Sequence, residues 1–311
     1  MDIYLPIANV SEDLFVILGL GGAVGLLSGM FGVGGGFLLT PLLMQIGIPP
    51  PIAVASAANQ VVGASVSGCL AHWRRRAVDV KMGLILLGGG FAGSTVGIAL
   101  FKLLSALGQI ELTISLCYVV LLGALGSLML IDALKMYARQ RRSGNKLPTR
   151  GAARHTWIHH LPLKTRFRRS RLYISALVPA GVGFLVGLLS AIMGVGGGFV
   201  MVPAMIYLIG MPSTMVVGTS LFQITFVSAN VTILQAATNQ TVDAVLALLL
   251  LVGGAIGAQI GARIGARLRT EQLRILLALM VLAMSVNVLV ELTLAPEDTF
   301  SITSNLPGFG F

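Results

Sequence analysis

28-SGMFGVGGGF-37 lies inside an otherwise apolar run, and 190-SAIMGVGGGF-199 repeats it in the second half of the chain. Each glycine inside a helix costs about 1 kcal/mol relative to alanine. Several of them clustered in a membrane-like segment therefore read as a helix break. The break is made twice.

Outward from these stretches the two copies stay in register. Pro41 matches Pro203, and Gly47 with Pro49 matches Gly210 with Pro212. "ASAANQ" (55–60) matches "GTSLFQ" (218–223), which pairs Gln60 with Gln223. Val78-Asp79 matches Val242-Asp243, and "GGGFAGSTVG" (88–97) matches "VGGAIGAQIG" (252–261). The chain is an internal repeat, read as a first membrane repeat (1–137), a basic cytoplasmic linker (138–172) and a second membrane repeat (173–311).

The chain has 311 residues, 56% hydrophobic and 10% charged, with a mean hydropathy of +0.91. Soluble domains carry about 25% charged residues, so the composition implies an all-α polytopic membrane protein. Apolar segments cover approximately 12–31, 36–47, 51–73, 82–107 and 111–136 in the first copy. In the second they cover 173–192, 198–209, 213–235, 244–266 and 272–293. The second segment of each copy is too short for the roughly 30 Å of bilayer hydrocarbon. It reads as a half-helix or part of a re-entrant hairpin, tolerated at membrane depth only when buried in protein or lining a cavity.

Five segments per copy require the second copy to start from the opposite side of the membrane. The connection after the third segment is "HWRRRAVDVK" in one copy and "QAATNQTVDAV" in the other. It is basic once and free of Lys and Arg once, as inverted repeats demand under the positive-inside rule. Outside termini place Arg74, Arg75, Arg76, the linker, Arg263, Arg267, Arg269 and Arg274 in the cytoplasm, with Lys102 alone outside. The acidic start, "MDIYLPIANVSED", lacks a basic n-region or cleavage site, so no signal peptide is expected.

Matched, interrupted segments in inverted repeats point to a transporter site. A glycine run lets backbone N–H groups approach a ligand, and a helix starting after it presents its positive dipole end to an anion. Gly34, Gly35 and Gly36 precede one such helix; Gly196, Gly197 and Gly198 precede the other. Gly32 and Gly194 belong to the same runs, and Ser28 and Ser190 add hydroxyls. On the third segments Ser56, Asn59 and Gln60, and Thr219, Ser220 and Gln223, share helical faces by their spacing. Such groups donate to an oxyanion without a buried charge; interhelical hydrogen bonding is their other common use. Close helix packing is the alternative use of the glycines.

Several chemistries are excluded. No Asp, Glu, Lys or Arg falls mid-membrane, against a buried carboxylate relay or a bound divalent cation. There is no GxxxxGK[ST], against ATP hydrolysis. Cys69 and Cys117 are isolated and read as core residues, against a thiol relay. His155, His159 and His160 lie in the linker without other ligand types, so that loop reads as solvated and basic, in contact with anionic lipid head groups. Its eleven basic residues belong to a confined linker and do not imply nucleic acid. No enzymatic activity, cofactor or metal is expected.

GxGGGF followed by a proline in both halves resembles the TauE/SafE sulfite exporter family. "GLLSGMFGVGGGFLLTPLL" and "GLLSAIMGVGGGFVMVPAM" carry the resemblance. The positions matching its motif are Gly32, Gly34, Gly35, Gly36 and Pro41, and Gly194, Gly196, Gly197, Gly198 and Pro203, the prolines being structural. The resemblance implies a bacterial inner-membrane permease exporting sulfite or organosulfonates; the long basic linker departs from the family pattern. A non-transporting accessory or scaffold subunit, or a carrier for another small anion such as a carboxylate, is the alternative. A coupling ion (H+ or Na+) and a homo-oligomeric state stay open.

Overall fold

The computed structural model describes residues 2–8, 10–31, 33–142, 164–167, 169–170, 172–265 and 270–293. The first copy contains the hairpin β1 (Asp2–Leu5) and β2 (Val10–Asp13), then α1 (Leu14–Phe31), α2 (Gly36–Gln45), α3 (Pro50–Arg74), α4 (Val80–Ala106) and α5 (Ile110–Arg142). The second contains the hairpin β3 (Lys164–Phe167) and β4 (Leu172–Ser175), then α6 (Leu177–Met193), α7 (Gly198–Tyr207), α8 (Ser213–Leu234), α9 (Ala244–Gly265) and α10 (Thr270–Thr293). A π-helical turn, Gln235–Asn239, continues α8. Among the described residues, six helices are long and apolar enough to cross a membrane.

All ten expected segments are helices. The two hairpins were not expected, and β3–β4 occupies the end of the linker; its histidines lie outside the described residues. Four-residue strands with little apolar alternation leave a weak signal, and a short two-stranded hairpin gains its stability from what it packs on.

Glycines bring helices from opposite copies into backbone contact. Gly21, Gly25 and Gly29 of α1 lie against Leu250, Gly254 and Ala258 of α9, while Gly253, Gly257, Gly261 and Gly265 lie against Leu18, Gly22, Leu26 and Met30. The residue numbers rise together, so α1 and α9 are parallel. The same seam recurs between α4 and α6: Gly89, Gly93 and Gly97 face Ala180, Phe184 and Leu188, and Gly183 and Gly187 face Leu86 and Gly90. Small residues at every fourth position allow this approach, which packs backbones where lipid gives no hydrophobic drive between helices.

The equivalent helices α3 and α8 cross antiparallel. Gly68 of α3 meets Leu221 of α8, whereas Val61 and Ile224, each midway along its helix, touch the same glycines. Helices α5 and α10 are also antiparallel, with Gly123 near Ser285 and Gly126 near Leu282. The Ser285 hydroxyl donates to the Val119 carbonyl over 3.1 Å. Equivalent helices running antiparallel place the pseudo-two-fold axis across the helices, which makes the repeats inverted.

Two matched aspartates fasten the hairpins, each to the other copy. Asp79 caps α4 by accepting from the Met82 N–H, and its other oxygen accepts from the Ser170 N–H at 3.0 Å and the Ser170 hydroxyl at 2.6 Å. Asp243 accepts from Val245 and Leu246 at the start of α9 and from Ile7 in the β1–β2 loop at 3.0 Å. The Asp79 end is basic, carrying Arg74, Arg75, Arg76, Lys81, Arg166 and Arg169. There the Arg169 guanidinium donates to the Val78 carbonyl.

Each short helix turns back. Helix α1 enters from the β1–β2 end, and Gly35 folds against Val24 and Ser28 of α1. Ten-residue α2, about 15 Å long, returns to that end, where Gln45 donates to Asn287 of α10. Helices α6 and α7 repeat this from the basic end, with Gly197 against Val186. The segments at 36–47 and 198–209 are therefore re-entrant.

A Gly93→Ala substitution pushes a Cβ into the Phe184 backbone, whereas one at Gly88 meets nothing within 4 Å. Thermal melting in detergent is expected to show Gly93→Ala destabilised by about 1–3 kcal/mol and Gly88→Ala not destabilised. Asp79→Ala and Asp243→Ala each remove charge-assisted hydrogen bonds worth about 1.5–3 kcal/mol apiece. Both are expected to lower the melting temperature and speed amide exchange in the hairpin that each aspartate holds.

Candidate functional site

No Asp, Glu, Lys or Arg occurs from residue 14 to 73 or from 172 to 242, the stretches that contain both breaks. Any charge accommodated there is offset by backbone and neutral side chains.

The two breaks meet. Gly36, at the start of α2, lies against the Gly194 carbonyl and Val195, and Gly198, at the start of α7, lies against Val33. The rings of Phe37 and Phe199, equivalent residues, stand 5.9 Å apart. Gly35 (φ 73°) and Gly197 (φ 73°) cap the two helices in left-handed conformations, and neither helix start has a side-chain cap. Gly34 and Gly196 share that conformation, which strains any residue with a Cβ. At each start the third helical N–H, that of Leu38 or Val200, donates back to the Gly35 or Gly197 carbonyl, and the N–H groups before it lie beyond the reach of intrahelical carbonyls at the positive dipole end. Here two such starts are buried side by side.

The second copy's break is also held by a side-chain clasp. The Met193 carbonyl, just before Gly194, accepts from the Thr40 hydroxyl at 3.3 Å and the Tyr118 hydroxyl at 2.8 Å. Pro41 and Pro203 lie inside α2 and α7.

The candidate side chains separate into engaged and orphaned groups. The Asn59 amide donates to the Ala247 carbonyl of α9. Thr219 accepts the Asp79 N–H at the basic end, and Ser220 donates one turn back to Val217. Each of these three already makes a hydrogen bond within the protein. By contrast, both polar atoms of Gln60, both of Gln223, and the hydroxyls of Ser56 and Ser190 are buried without a hydrogen-bond partner. Ser28 is buried at the foot of the first break. Gly32 lies outside the described residues.

Ser65 and Ser228 are orphaned too, and sequence reasoning missed them. A Cβ on Gly34 would fall 3.8 Å from the Ser65 hydroxyl, and one on Gly196 would fall 3.1 Å from the Ser228 hydroxyl. The usable signal was the repeat itself, since Ser65 follows Gln60 by the same interval as Ser228 follows Gln223.

Each glutamine sits where a glycine seam leaves room. Gln60 Nε2 is 2.5 Å from where a Cβ of Gly254 would be, and Gln223 Nε2 is 2.8 Å from the same point at Gly90. Gly254 packs on Gly25, one turn from Ser28; Gly90 packs on Gly187, one turn from Ser190. The result is two related sets, Ser28, Gln60 and Ser65 beside the first break and Ser190, Gln223 and Ser228 beside the second. An unpartnered buried polar atom costs about 1–3 kcal/mol, so these sets are poised for a polar guest.

The chain is similar in sequence to known proteins over most of its length. Residues 17–288 match the family described as "Sulfite exporter TauE/SafE". A "Probable membrane transporter protein" of Xylella fastidiosa (strain 9a5c) is 30% identical over 78% of this chain and 81% of its own length. "Probable membrane transporter protein YjnA" of Bacillus subtilis (strain 168) is 30% identical over 76% of this chain and 84% of its own length. "Sulfite exporter TauE/SafE family protein 2" of Arabidopsis thaliana is 27% identical over 45% of this chain and 31% of its own length. No solved structure matches. With paired glycine breaks, inverted repeats and these relatives, the chain is a multi-pass membrane transporter belonging to the TauE/SafE sulfite exporter family.

Proposed function

We propose that this chain is a secondary transporter exporting a small sulfur-containing oxyanion, such as sulfite or an organosulfonate, across a bacterial inner membrane. Both termini lie on the periplasmic side in this reading, because the basic end then faces the cytoplasm. The observation that carries the proposal is the pairing of two uncapped, buried helix starts with orphaned Gln60 and Gln223 amides in a region without charged side chains. An anion supplies the acceptors that these N–H groups lack. The re-entrant hairpins approach from opposite ends, so rocking about the α3–α8 crossing opens one side while the other stays closed. The name of the Arabidopsis relative supports the sulfur chemistry.

Purified protein in liposomes is expected to move sulfite or a sulfonate. Gln60→Met and Gln223→Met are expected to cut this flux at least tenfold while leaving the melting temperature unchanged or higher, since each removes an unsatisfied polar group. Side chains at Gly35 or Gly197 are expected to abolish flux as well, but they also strain the break, so the glutamine variants decide. Absence of flux for sulfite, thiosulfate, sulfoacetate, sulfate and carboxylates alike would sink the proposal and favour a non-transporting subunit. Wild-type flux in both glutamine variants would remove the amides from the site.

A further inference from the structure

The orphaned groups include acceptors as well as donors, and this bears on the protonation state of the guest. Gln60 and Gln223 are each fully buried, and neither the oxygen nor the nitrogen of either amide has a partner. Whichever way an amide is turned, one end donates and the other accepts. An oxyanion satisfies the donating ends. It does nothing for the Oε1 atoms, and a fully ionised oxygen placed beside one adds repulsion between two acceptors. A guest carrying one acidic hydrogen offers a donor and satisfies an acceptor as well.

Charge points the same way. The cost of bringing an ion out of water rises with the square of its charge, and an unpaired buried charge is costly even at one unit. The breaks hold no Lys or Arg to offset a dianion. Their helix starts supply only partial positive charge, about half a unit each. Two such starts match one negative charge.

We infer that the site selects a singly charged oxyanion that retains one acidic hydrogen, held by helix-start N–H groups through its bare oxygens and by a glutamine Oε1 through its O–H. The inference rests on the anion-site reading above and narrows it: among the sulfur oxyanions named there it favours sulfite, bound as its hydrogen-bearing monoanion, over an organosulfonate, which carries no acidic hydrogen. Gln60 and Gln223 are then specificity-determining residues. The two-fold relation gives each break its own acceptor, so the guest keeps its proton at either one.

Methanesulfonate and methylphosphonate test this, because they share shape and, below the second ionisation of methylphosphonate, share a single negative charge. They differ there by one hydrogen. Binding to the full-length protein in detergent is read from the ligand-dependent rise in melting temperature. Below that ionisation, methylphosphonate is expected to bind about tenfold or more tightly than methanesulfonate, the loss expected when a buried acceptor goes unpaired. Above it, where methylphosphonate becomes a dianion, that advantage is expected to vanish. Methanesulfonate does not titrate in this range and reports any change in the protein itself. Gln60→Met combined with Gln223→Met is expected to erase the discrimination in folded protein. Methanesulfonate binding as tightly as monoanionic methylphosphonate, or a phosphonate advantage that grows above the ionisation, would overturn the inference while leaving the anion site standing. Stabilisation by neither compound at any pH would overturn the anion site and the inference together.

Discussion

Everything in this fold depends on how closely α1 approaches α9 and α4 approaches α6. At Gly25, Gly29, Gly93 and Gly187 a single added carbon would collide with the backbone of the facing helix. In a bilayer, burial of apolar surface does not distinguish helix–helix from helix–lipid contact, so attraction comes from dense backbone packing and Cα–H contacts to carbonyl oxygens. The seams tie α1 and α6 to helices of the other copy, and each also touches the α3–α8 crossing. That crossing in turn presents Val61 and Ile224 to both breaks. The placement of Gly34 beside Gly196 follows from contacts made elsewhere.

The same economy explains the neutrality of the centre. A buried Lys or Arg would bind an anion strongly but would have to be paired whenever the anion left. Helix starts and amides carry smaller, fixed dipoles and are less costly to leave empty. Among the described residues, eight buried polar side-chain atoms nevertheless remain unsatisfied. A membrane protein built only for stability would have apolar residues there.

Most of the architecture was legible because the repeat supplied a second reading of every feature. The matched Val-Asp pairs kept the two copies in register ahead of the fourth segments, and the basic and uncharged forms of one connection marked the inversion. What stayed hidden depends on distance. Periodicity put Asn59 and Gln60, or Ser220 and Gln223, in one class; only three-dimensional contacts separate the amide that reaches Ala247 from those that reach nothing. Thr219 looked like a ligand for the same reason, yet one turn before Gln223 its hydroxyl already receives the Asp79 N–H. The hairpins were illegible because their order comes from Asp79 and Asp243, remote carboxylates that leave no local pattern.

The cross-copy seams also constrain how the protein is made. Helix α1 emerges from the ribosome well before α9, yet the glycine face it presents is complementary to α9, which starts more than 200 residues later in the sequence. Until then α1 has only lipid or the insertion machinery against that face. Helix α4 waits a shorter time for α6. The first copy therefore cannot close on itself as a finished unit during synthesis, and a chain truncated before α9 would leave α1 inserted but without its partner.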